Sequence, residues 1–183
     1  MKLNAVLAAV MTLGVAVASH AATTTVVTHA YENSTALGTG AGADTGLDLL
    51  AGQSFTVTTD ANQTWYGAQP WDGNYGVLST NADGAVGTGW TLGLNGVPTT
   101  YVGALVAVIG NEYRVVGSGQ QTFAAWASGE LYFEYADINF YDNSGTMTST
   151  VTTAAAVPEP ANVALLTAGL GLLGFMARRR SAK

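Results

Sequence analysis

The chain contains no cysteine. Disulfides, thiolate metal centres and cysteine nucleophiles are therefore excluded, and an exported fold would have to be held by its core or by a bound ion. Positive charge is almost as scarce. Lys2, Arg178, Arg179, Arg180 and Lys183 lie near the two ends, leaving Arg114 alone between residues 22 and 156 against every acid of the chain except Glu159. Such a surface repels phosphate backbones, which argues against nucleic acid as a partner. Surplus carboxylates favour divalent cations, although they also serve solubility alone. Histidine is limited to His20 and His29. No Ser-His-Asp or Cys-His arrangement, phosphate loop or HExxH zinc motif can be assembled. Glu130 and Glu134 share one strand face, but residues four apart on a strand are separated by about 13 Å, too far for paired-carboxylate glycoside chemistry. The expectation is a protein that is not an enzyme.

Proline is also rare, and two of the four prolines fall in Val157-Pro158-Glu159-Pro160. Pro158 and Pro160 fix φ, remove two backbone donors and bias their neighbours toward extended geometry, which suits an accessible peptide. Residues 161–177 follow without a charge, and Arg178, Arg179 and Arg180 close the run. As a helix it would measure about 25 Å, near the short limit for a bilayer core of ~30 Å. The arginines match the positive-inside rule. A plain membrane anchor would share the helix and arginines but needs no Pro-Glu-Pro block. In this order, the three features resemble the PEP-CTERM sorting signal of Gram-negative bacteria, the substrate tail of exosortases. The resemblance implies export, transient anchoring in the inner membrane, and later release to the outer surface or extracellular matrix. At the other end, Lys2, the apolar stretch 3–17 and Ser19-His20-Ala21 read as a signal peptide for the Sec export machinery, ending near Ala21.

These features divide the chain into a signal peptide at 1–21, a domain at 22–153, and a linker plus sorting signal at 154–183. The middle is long enough for one domain with its own core. Its short Val-, Thr- and aromatic-rich runs are separated by Gly, Asn and Asp. Residues 54–58 and 129–135 alternate as half-buried strands do, whereas the apolar run 103–110 suits a strand covered on both faces. Residues 146–152 read as a further strand. The expected fold class is all-β, a sandwich or jelly roll.

A more specific likeness lies in the succession Gly103 to Asn111, Val115-Val116-Gly117, Gln121-Thr122-Phe123, Ser128 to Phe133, Asp137 and Asp142-Asn143-Ser144-Gly145, with Trp65-Tyr66-Gly67 among the earlier strands. This order resembles the LecA-like galactose-binding lectins, a β-sandwich family of galactose-binding-domain type. The resemblance implies one calcium at the sandwich rim, bridging protein and sugar. Asp137, Asp142 and Asn143 would supply side-chain oxygens, and Asn139 and Tyr66 main-chain carbonyls. The chemistry is coherent on its own terms, since calcium takes six to eight hard oxygens. An Asx-rich hairpin turn would use the same residues. Trp65, Trp71 and Trp90 are candidate stacking faces for a sugar, and more ordinarily core or rim aromatics.

The chain departs from the lectin pattern. Ala136-Asp137 stands where that family carries Asn-Asp, the loop is about two residues shorter, and the stretch 71–80 lacks the family's sugar-contacting His and Gln. Galactose specificity therefore does not follow from the resemblance. Two functions fit the sequence: a calcium-dependent carbohydrate-binding module associated with exopolysaccharide, or a structural biofilm-matrix or surface-coat protein without specific sugar binding. A third reading is an ice- or crystal-facing array built from Thr23, Thr24, Thr25 and the threonines of 146–153, although threonine is also a common strand filler.

Overall fold

The computed structural model describes residues 21–68, 77–154, 167–171 and 178. Ala21–Ala154 form one compact unit; 1–20 and 155–183 belong to another. In the second unit residues 167–171 and Arg178 are helical. Among the described residues no helix is long and apolar enough to cross a membrane. Most of the expected helix 161–177 lies outside the described residues. So do the signal peptide up to His20, Val157, Pro158, Glu159, Pro160, Arg179, Arg180 and Trp71.

The first unit is built from antiparallel strands. In chain order they are β1 (Thr23–His29), β2 (Ala43–Leu49), β3 (Ser54–Thr59), β4 (Trp65–Ala68), β5 (Val77–Thr80), β6 (Thr91–Leu94), β7 (Val97–Tyr101), β8 (Leu105–Ile109), β9 (Glu112–Val115), β10 (Gly119–Ala124), β11 (Gly129–Tyr135) and β12 (Thr146–Thr153). One four-stranded sheet runs β1-β12-β3-β10 and another β2-β11-β8-β9, with β4-β5 and β6-β7 as separate pairs. The period-two pattern decides which side chains meet between the large sheets. Val26, Phe55, Val57, Met147 and Val151 of the first sheet share a buried cluster with Leu49, Leu105, Ala107, Ile109, Leu131, Phe133 and Tyr135 of the second.

The opposite face of the first sheet is threonine-rich. Thr23 lies beside Thr152, Thr152 beside Thr56, and Thr56 beside Thr122. The Thr23 and Thr152 hydroxyls are 3.2 Å apart and those of Thr56 and Thr122 3.0 Å. Alternate positions turn inward, so Thr28, Thr59 and Thr153 are buried. A threonine run in this sequence therefore feeds two different environments.

The outer face of the second sheet is covered over β8 and the adjoining parts of β9 and β11, and open over β2. Leu92, Leu94 and Val97 of the β6-β7 hairpin pack against Val106, Val108, Tyr113 and Ala136. With both faces covered, β8 is buried at every position, which is why its sequence is continuously apolar. Glu134 lies on that covered face, next to Val106. It is fully buried, with one carboxylate oxygen unpartnered and the other accepting from the Tyr113 hydroxyl at 3.3 Å. Burial raises its pKa to about 7, against the lowering effect of the Tyr113 hydrogen bond.

Candidate functional site

The segment between β11 and β12 carries Asp137, Asn139, Asp142 and Asn143. Its entry is fixed by Thr35, at the start of the 3-10 turn Thr35–Leu37. The Thr35 hydroxyl accepts from the Asp137 N–H at 2.9 Å and donates to the Asp137 carbonyl at 2.6 Å. The Asp137 side chain turns back on its own loop, where one oxygen accepts from the N–H groups of Ile138 (2.7 Å) and Asn139 (3.2 Å). This is an Asx turn, and it orders the carboxylate. Burial pushes the Asp137 carboxyl up, the loop N–H groups and Asn143 oppose that, and the charge of Asp142 adds to it.

Asn143 is buried in the same loop. Its Nδ2 donates to the Ala30 carbonyl at 3.3 Å, while its Oδ1 has no hydrogen-bond donor. Asp142 has the same asymmetry: Oδ2 accepts from Asn139 Nδ2 at 3.3 Å, and Oδ1 is buried without a donor. A buried acceptor left without a donor costs about 1–3 kcal/mol. Two such oxygens lie here on consecutive residues, beside a second carboxylate. Arg114, the sole Lys or Arg of this unit, is engaged elsewhere: it bonds Glu112 at 3.1 Å and lies 5.0 Å above the Trp126 ring.

The loop rests against β4. Tyr66 and Ser144 exchange two backbone hydrogen bonds, each 2.8 Å, so the Tyr66 carbonyl keeps one lone pair beyond that pairing. Next to it, Gly67 permits a very close approach. A Cβ there would lie 2.7 Å from the Tyr135 hydroxyl and 3.1 Å from Asn143 Oδ1. Gly145 closes the loop at φ +90°, and a Cβ there would lie 3.2 Å from Trp65 Cα. Both glycines let strand and loop backbones come together without a side chain between them.

The fold thus gathers Asp137, Asp142 and Asn143, adds Asn139 through its bond to Asp142, and places Tyr66 beside Ser144. Among the described residues no group of three or more His, Cys, Asp or Glu could hold a metal. A cation here would rest on two carboxylates supplemented by neutral oxygens. That donor set suits calcium better than a transition metal, and the two donor-less buried oxygens fit such an ion.

Other sequence-expected residues fall elsewhere. Trp65 is fully buried, donates from its indole N–H to the Gly103 carbonyl at 2.8 Å, and meets Tyr135 edge-on at 4.6 Å. It is a core residue and offers no stacking face to a sugar, which corrects the expectation. Trp90 is partly buried just before the β6-β7 hairpin. His29 is on the surface, 3.7 Å from Glu32. Glu130 is exposed and accepts from the Tyr132 hydroxyl, whereas Glu134 is buried, so the two occupy unlike environments. The Ala30 carbonyl that aims Asn143 was not foreseeable, because a backbone carbonyl has no sequence signature.

Comparison with known proteins adds two findings. The family described as the PEP-CTERM protein-sorting motif matches residues 156–180. The chain carries that motif, which implies an exported protein, sorted by an exosortase and transiently anchored at a membrane through its C-terminus. A solved structure named as the EclA N-terminal domain, a PllA-like lectin, is similar at 22% identity and a TM-score of 0.45, over 72% of this chain and 96% of that one. No curated protein matches the sequence.

Proposed function

We propose that this exported protein is a calcium-dependent carbohydrate-binding module, held at the cell envelope and associated with exopolysaccharide. The observation that carries the reading is the pair of buried, donor-less oxygens, Asp142 Oδ1 and Asn143 Oδ1, beside Asp137. Bound calcium would neutralise the two carboxylates and present coordination sites to vicinal sugar hydroxyls. Asp137, Asp142 and Asn143 would hold it through side chains, with the Asn139 and Tyr66 carbonyls as further donors. The protein's own task is to keep these oxygens in place before the ligand arrives. Thr35 fixes the backbone of Asp137, the loop N–H groups orient its carboxylate, and Ala30 aims the Asn143 amide. Two sugar hydroxyls would complete a shell of six to eight oxygens.

The sorting motif supports the cellular setting, with an exosortase and the inner membrane as partners during processing and polysaccharide as the partner afterwards. The test uses the full chain in mild detergent. Calcium titration should show saturable binding, and a glycan array should give signals that vanish with chelator. Absence of both would refute the reading and favour a structural matrix protein.

A further inference from the structure

Between its oxygen-bearing residues the same loop carries Ile138, Phe140 and Tyr141. Tyr141 is 77% exposed and Ile138 74%, more than the other exposed large apolar side chains among the described residues. Scattered surface apolar residues need no explanation, but these stand together on the candidate site. They are also ordered. Phe140 stacks on Tyr141 with centroids 4.1 Å apart and planes 29° apart, and meets Tyr31 edge-on at 5.3 Å and 71°. Tyr31 directly follows Ala30, whose carbonyl holds the Asn143 amide. The aromatic ladder Tyr31-Phe140-Tyr141 and the proposed cation site are thus supported by the same two chain segments. One face of the Tyr141 ring is covered by Phe140, and its high exposure leaves the rest of the ring to solvent.

We propose that Tyr141 is a stacking platform for a second sugar ring, adjoining the one held at the cation, so that the natural ligand is a neutral disaccharide or longer glycan. This rests on the cation-and-sugar reading above. A braced aromatic ring offers a large apolar face with little side-chain entropy left to lose on binding. The C–H face of a pyranose is its complement. Neutrality follows from pairing: the two carboxylates already balance the charge of the calcium, and the one Arg of the unit is engaged away from the loop. A uronic acid as the second ring would find no free Lys or Arg of this unit to pair with.

The experiment uses the full chain in detergent micelles with saturating calcium. The probes are the methyl glycosides of galactose, glucose and mannose, together with lactose, cellobiose and mannobiose. At least one disaccharide should bind roughly tenfold more tightly than its methyl glycoside. Tyr141→Ala should abolish that advantage, and Tyr141→Phe should keep it. Calcium affinity should stay within about twofold in both, a readout that a misfolded loop would not preserve. Saturation-transfer NMR should mark the C–H protons of the second ring in the wild type and lose them in Tyr141→Ala. Equal affinity for mono- and disaccharides in the wild type would overturn the platform while leaving the cation site intact. So would a Tyr141→Ala variant that retains the advantage, or one whose main change is loss of a dimer in sedimentation. Calcium binding without any sugar binding overturns both proposals, and absence of calcium binding overturns the site itself.

Discussion

Asn143 is aimed by Ala30: its Nδ2 donates to that carbonyl across 113 residues of sequence, and its Oδ1 is left buried without a donor. The side chain satisfies one end of its amide within the protein and reserves the other. Asn143→Ala removes the donor and the reserved oxygen together. Calcium-free stability should therefore change by only about 1 kcal/mol, since a spent hydrogen bond and an unmet acceptor largely offset each other. Calcium-induced stabilisation, measured as the shift in Tm on adding the ion, should vanish. A variant that still gains the wild-type Tm shift would show that Asn143 does not contact the ion.

Gly67 is the second constraint on the same loop. Gly67→Ala would force a Cβ to within 2.7 Å of the Tyr135 hydroxyl and 3.1 Å of Asn143 Oδ1. The expected outcome is a loss of about 1–3 kcal/mol in denaturant unfolding and a weaker calcium response. Tyr135→Phe removes the nearer obstacle. The double variant should recover part of the loss, a coupling that two independent sites would not show.

Glu134 sets a pH dependence remote from the loop. Its folded carboxyl titrates at about 7 instead of its usual 4.5. Between those values the folded chain keeps a proton that the unfolded chain has released, so this group's contribution is favourable below about pH 4.5 and is lost as pH rises through 7. Glu134→Gln should remove that slope. Above pH 7 the variant should be more stable than wild type by on the order of 3 kcal/mol, and the advantage should shrink toward acid pH. Parallel pH–stability curves for the two proteins would contradict the assignment.

Trp65 gives a test of a different kind. Trp65→Phe keeps an aromatic ring against Tyr135 but leaves the Gly103 carbonyl without the indole donor. It should lower stability by about 1–3 kcal/mol, with a residual cavity adding to the lost hydrogen bond. Glycan retention under folded conditions should not change. Selective loss of sugar binding at full stability would restore Trp65 to the ligand face.

The strands were legible where their periodicity is clean. Phe55 and Val57, or Leu131, Phe133 and Tyr135, alternate with outward residues, and the glycine-bracketed apolar run becomes the doubly covered β8. Glu134 breaks the same alternation for a reason invisible in sequence. Its side of β11 points outward from the main core, but at Glu134 that side is covered in the region of the β6-β7 hairpin, whereas Glu130 on the same side stays exposed. That Asp137, Asn139, Asp142 and Asn143 share one loop between two strands was legible, although an Asx-rich turn uses the same residues. What oriented them was not: Thr35 and Ala30 are remote in sequence and carry no distinguishing chemistry. The same limitation left Trp65 open between sugar face and core, and gave no reason to single out Tyr141. Residue type alone marks a tryptophan as a candidate sugar face, whereas burial assigns Trp65 to the core and leaves Tyr141 in the open.

The measurement closest to the central claim is calorimetric titration of calcium into the full chain in detergent, for wild type and Asp137→Asn. The variant retains a side-chain oxygen able to accept from Ile138 and Asn139, so the loop should keep its shape while losing one charge. The expected result is saturable binding to a single site in the wild type, weakened at least tenfold in the variant at similar thermal stability. No saturable heat in the wild type, or the same affinity in both proteins, would contradict a cation site built on Asp137, Asp142 and Asn143.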